Sequence, residues 1–147
     1  MKTLSASLKA VVIASLACAA GLAAASDTQS LVVTATVKDV CKFASVPALS
    51  FNIDPSVPTS QAGTVSVTYN CTKGKTPAIS ATDGLTGRTL TGSAGTMAYD
   101  LTLGTLPTST GFSATNAVDI TATVLQAAYQ DATAGAYTET VSLTIAP

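Results

Sequence analysis

Apolar and polar positions alternate with a period of two along most of this chain, and that alternation predicts strands. In Leu31-Val32-Val33-Thr34-Ala35-Thr36-Val37, the residues Leu31, Val33, Ala35 and Val37 share one parity. Thr34 and Thr36 fall on the other, with Val32 as the exception. The stretch 63–71 is cleaner, with Val65, Val67, Tyr69 and Cys71 on one face and Thr64, Ser66, Thr68 and Asn70 on the other. Residues 46–53 form a short extended piece with Leu49, Phe51 and Ile53 on one face. Another strand begins at 77–81. Further alternation places Met97, Tyr99, Leu101 and Leu103 together, then Val118, Ile120, Ala122 and Val124. The last predicted strand covers 138–145, with Val141, Leu143 and Ile145 inward and Thr138, Thr140, Ser142 and Thr144 outward.

Turn residues separate these segments. Pro55, Pro58 and Gly63 mark a loop, and Lys73-Gly74-Lys75 a turn. Residues 83–96 carry Gly84, Gly87, Gly92 and Gly95 and read as loop with a short hairpin inside. Residues 104–116 are loop. A helical turn fits around Ala127-Ala128 and nowhere else past the first 25 residues. Short strands between Gly/Pro/Ser loops predict an all-β fold, an antiparallel β-sandwich. Six or seven strands in immunoglobulin-like order suit the length, as one domain without repeats. The segment 31–37 then has two readings. It is the first edge strand of this sandwich, or a strand made for another subunit's sheet.

The N-terminus adds an export expectation. Lys2 and Lys9 precede an uncharged Ala/Val/Leu-rich run, and Ala23-Ala24-Ala25 gives a small-x-small cleavage site before Ser26. This predicts a signal peptide over 1–25, too short and alanine-rich for a membrane anchor. Cys18 raises a lipoprotein alternative, but Leu16 stands one place too late for a good lipobox. Past residue 25 the chain keeps Lys38, Lys42, Lys73, Lys75 and Arg88 against eight acids, a net charge of −3. That balance offers no basic footprint for nucleic acid and no polybasic membrane patch. Cys41 and Cys71 are the two remaining cysteines. In an exported chain the simplest reading is a disulfide, the alternative being two buried thiols.

The chain contains no histidine, which removes the usual general base and the usual zinc ligand. Asp83 with Asp100, or Asp119 with Asp131, has no spacing that argues for a catalytic pair. The run Gly92-Ser93-Ala94-Gly95 lacks the strand, helix and lysine of a phosphate loop. Asn70-Cys71-Thr72 fits a glycosylation sequon only formally, at a strand end. These residues predict no enzyme and no cofactor.

The order of motifs resembles the spore coat protein U domain family, whose fold serves the major subunits of archaic (Csu-type) chaperone–usher pili. The matching pieces are the alternating N-terminal strand running to Cys41, then Leu49-Ser50-Phe51-Asn52, then Gly63-Thr64-Val65-Ser66-Val67 leading to Cys71-Thr72-Lys73-Gly74. Met97-Ala98-Tyr99-Asp100-Leu101, Gln126 and the terminal Gly135-Ala136-Tyr137-Thr138-Glu139-Thr140-Val141-Ser142-Leu143 follow. Asn52 stands where the family usually has glycine, Glu139 where it has aspartate, and the Tyr99 strand is less aromatic than is typical.

The resemblance implies an incomplete immunoglobulin-like sandwich, the pilin type, lacking its last strand. On that pattern 26–37 is an N-terminal donor strand and 38–147 the sandwich domain. Leu31, Val33, Ala35 and Val37 would plug a neighbour's groove, beside an acceptor strand bearing Val141, Leu143 and Ile145. Lys38-Asp39 is the candidate hinge between the two parts. The implied partners are identical or homologous pilus subunits, a periplasmic chaperone and an outer-membrane usher. The implied location is the periplasm, then a cell-surface fibre serving adhesion or biofilm formation. A spore or outer coat protein, or a monomeric extracellular binding sandwich, is the alternative.

Overall fold

The computed structural model describes residues 26–147, so the expected signal peptide and Cys18 lie outside the described residues. The chain divides into two units, residues 1–35 and 36–147. In the first, residues 26–35 are exposed and carry neither strand nor helix.

The second unit is nearly all β. Its strands are β1 (Cys41–Ser45), β2 (Gln61–Cys71), β3 (Ala78–Ala81), β4 (Arg88–Gly92), β5 (Gly95–Leu103), β6 (Asn116–Val124), β7 (Tyr137–Thr138) and β8 (Leu143–Ala146). One helical turn, α1 (Gln126–Tyr129), follows β6. Every strand pairing is antiparallel. Six strands form one sheet in the order β1-β2-β6-β5-β4-β7, and β3 pairs with β8 in a second. The expected six or seven strands are eight: β1, β4 within 83–96 and the split of the terminal alternation add strands, while 31–37 supplies none.

The alternation sorts the faces as expected. Val67, Tyr69, Cys71, Met97, Tyr99, Leu101, Val118, Ile120, Ala122 and Val124 are buried in one core, joined by Ile79 of the small sheet. The threonines of the other parity line the outer face, where Thr64 and Thr121 sit opposite one another in register. Their hydroxyls are 2.8 Å apart, a cross-strand pair of the kind that steadies a solvated sheet face. Cys41 and Cys71 are register partners at the start of the β1–β2 ladder and are joined by a disulfide.

Two predicted strands are corrected. Residues 31–37 join no ladder, so the sheet does not begin with an N-terminal edge strand of its own; its first strand opens at Cys41. A strand persists only through its pairing partners, and among the described residues this segment has none. The single strand expected over 138–145 is two. β7 pairs with β4, and β8 pairs with β3. The period of two survives across the break because it records which face each side chain occupies, not which strand supplies the hydrogen bonds. Gly92 permits the crossing at β7, since a Cβ there would stand 2.4 Å from the carbonyl oxygen of Ala136.

Candidate functional site

A groove of about 900 Å³ opens along the inner face of the large sheet. Its floor includes Val65, Val67, Met97, Leu101, Ile120 and Ala122. Two lengths of chain border it: residues 46–53, which belong to neither sheet, and the run from α1 through β7 to Leu143, whose residues 139–142 lie between the sheets.

Residues 46–53 are held by side chains alone. Leu49, Phe51 and Ile53 pack against the core, as their shared parity predicts. Phe51 fills the notch over Gly63, where any Cβ would stand 2.6 Å from the ring. Among the described residues, no main-chain hydrogen bond is made by any residue of 46–53. On the other border, residues 139–141 are equally bare, and Ser142 accepts a single bond from the Thr82 N–H at 2.9 Å. Two lengths without main-chain bonds among the described residues therefore flank an apolar floor. Such open edges are templates for a further strand, and a concave, mostly apolar cleft is the usual shape of a binding site.

The structure places the residues singled out in the sequence as follows. Val141 and Leu143 are half-buried and line the groove. Ile145 lies beyond it, paired with Ile79 in the small sheet. Leu31, Val33 and Val37 are 87%, 81% and 82% exposed, and Ala35 is exposed too. A strip of three large aliphatics left in water is unfavourable for a chain standing alone. Main-chain anchoring starts only past Val37. The Thr72 hydroxyl donates to the Lys38 carbonyl at 3.2 Å, and Val40 and Thr72 exchange bonds at about 3 Å. Asp39 meets Lys75 at 2.6 Å, an exposed ion pair that adds little energy but sits at the expected hinge. Asp83 occupies a turn at φ 64, and Asp100 accepts from the Gly87 N–H at 2.7 Å. Among the described residues, no cluster of His, Cys, Asp and Glu is arranged to hold a metal ion. Nor is any helix long and apolar enough to cross a membrane.

Two site residues escaped the sequence reading. Arg88 is 6% exposed. Its Nη2 reaches Glu139 Oε1 at 2.5 Å, and its Nη1 donates to the carbonyls of Thr82 and Gly84 at 2.8 and 2.7 Å. Its Nε faces the Tyr99 hydroxyl at 3.3 Å. The signal was there, since Arg88 shares the inward parity of Leu90 in an otherwise uncharged strand. Tyr129 is 1% exposed and donates its hydroxyl proton to the carbonyls of Val57 and Thr59, closing the loop that follows residues 46–53. Tyr129→Phe is expected to keep the packing and cost about 0.5–1.5 kcal/mol, the net worth of a hydrogen bond to part-buried carbonyls that water can reach. Urea unfolding of the two proteins checks it.

Burial by itself would raise the Glu139 carboxyl. Hydrogen bonding by Tyr99 and Arg88, with the guanidinium charge, holds it below its ordinary value. A depressed folded-state value adds stability above the ordinary carboxylate range, and that stability is lost as pH falls through the folded value. Glu139→Gln is therefore expected to cost about 1.5–3 kcal/mol at neutral pH, as for a charged hydrogen bond. The gap to the parent should narrow as pH falls below the ordinary glutamate range and close only below the depressed folded value. Denaturant unfolding at neutral and acid pH measures both.

In comparison with known proteins, no family model, no curated protein and no solved structure matches this chain.

Proposed function

We propose that this chain is a structural subunit of a secreted surface fibre of the archaic chaperone–usher type, assembling by strand donation. The observation that carries the reading is the apolar groove of about 900 Å³ whose bordering segments, 46–53 and 139–141, have unpaired main chain. On this reading the sandwich is immunoglobulin-like and lacks its last strand. A donated strand pairs along those borders while its side chains fill the floor, which is β-augmentation.

The donor is the N-terminal arm of the next copy, 26–37, with Leu31, Val33, Ala35 and Val37 as plugs. Burying three large aliphatics and an alanine contributes on the order of 5–9 kcal/mol, before the main-chain bonds are counted. The exposure of those side chains supports the assignment, because assembly would remove them from water. Before assembly a periplasmic chaperone lends the strand, and an outer-membrane usher is the site of exchange. The Cys41–Cys71 disulfide suits an oxidising compartment, as the export reading requires.

Deletion of residues 26–36 tests the proposal. The full exported chain, co-expressed with its chaperone and usher, should give ladders that resist SDS and collapse on heating. The deleted chain should still bind the chaperone and give no ladder. Ladders of equal length from both would refute strand donation by this arm. A stable, chaperone-free monomer that never polymerises would favour a binding module instead.

A further inference from the structure

We infer that Arg88 and Glu139 are positioning residues that hold the bare edge 139–141 extended for an incoming strand. This rests on the strand-donation reading above.

Stability alone does not explain the pair. A buried arginine loses much hydration, and an apolar side chain of similar volume often serves a core as well or better. What the pair does that an apolar residue cannot is tie separate pieces of chain to one planar group. The guanidinium takes the carbonyls of Thr82 and Gly84 from the turn after β3, the Tyr99 hydroxyl from β5, and the carboxylate of Glu139. Thr82 is used twice, because its N–H donates to Ser142 O at 2.9 Å. The edge is thus pinned at Glu139 through its side chain and at Ser142 through its main chain. Thr140 and Val141 are suspended between the two pins.

The Glu139 side chain is 23% exposed while the residue as a whole is exposed, so the carboxylate is tucked inward and the main chain faces outward. The fixings leave the N–H and C=O groups of 139–141 free. An unpinned segment of this kind would have many conformations, and a strand arriving to pair with it would have to order each residue at about 1–2 kcal/mol. Pinning meets that cost during folding, which raises the rate of capture. Lysine at 88 keeps the charge but loses the planar fork that grips several acceptors at once.

The test is capture of a fluorescent peptide of residues 29–40 by the full exported chain, followed by stopped-flow. Arg88→Lys and Glu139→Gln are each expected to slow capture at least tenfold. They should also speed amide exchange at 139–141 ahead of exchange in β2 and β6. The stability control is the Cys41→Ala/Cys71→Ala double variant, which touches neither pin. It should capture peptide at the parent rate despite a lower Tm. Capture by both pin variants at the parent rate overturns the inference and leaves strand donation standing. So does equal slowing in the disulfide control. A parent chain that takes up no peptide overturns both.

Discussion

Replacing Cys41 and Cys71 together by alanine is expected to lower the unfolding free energy by roughly 3–4 kcal/mol. The two cysteines lie 30 residues apart, and the bond closes that loop in the unfolded chain. In the folded chain the same residues face each other in the β1–β2 ladder, the Thr72 N–H donates to the Val40 carbonyl beyond it, and the Val40 N–H donates to the Thr72 hydroxyl. The native contacts therefore survive loss of the bond, and the main effect falls on the unfolded ensemble, which gains freedom. For a domain of this size the change corresponds to a drop in Tm of roughly 10–20 °C. Urea unfolding distinguishes this account from local damage. A more expanded unfolded state raises the m-value along with the fall in midpoint. A fall in m, or a loss under 1 kcal/mol, would mean that the reduced chain stays compact or that the bond strains the folded state.

How far the sequence led depends on what each signal reports. Parity reports faces, and there it succeeded. Val67, Tyr69, Met97, Leu101, Ile120 and Ala122 are buried as read, and their threonine neighbours line the outer face. Pairing is a property of two segments, and one segment's pattern is silent about it. Residues 31–37 and 138–145 show the consequence. Both alternate well, yet the first joins no ladder and the second changes sheets in mid-course. Residues 46–53 are a milder case, with correct side-chain placement and no main-chain partner among the described residues. The groove is the sum of these discrepancies, because its borders are two stretches with strand-like sequence and unpaired backbone. Arg88 was missed for a different reason. Its stretch, 83–96, reads as a glycine-rich loop where a charge is expected in solvent, and only its parity with Leu90 pointed inward.

Parity also yields the sharpest test of the arm. Leu31→Asp/Val33→Asp is expected to abolish fibre assembly, with at least a hundredfold loss in peptide capture when the same changes are made in the peptide. Two carboxylates would enter an apolar floor built from Val65, Met97, Leu101 and Ile120, with no cation among the described residues that line the groove. Two lost aliphatics cost about 3 kcal/mol. Each unpaired charge adds a desolvation penalty or forces protonation. A hundredfold corresponds to only about 2.8 kcal/mol, so the threshold is conservative. The stability of the variant itself should stay within about 0.5 kcal/mol of the parent, since both side chains are already in water. Thr34→Asp/Thr36→Asp adds the same charge three residues along, on the other parity. On a donated strand those positions face away from the floor, so assembly should persist with a modest loss. If charge on the two parities is equally disruptive, the arm works by net charge or disorder rather than as a strand. A strand has two faces, and only one of them fits an apolar groove.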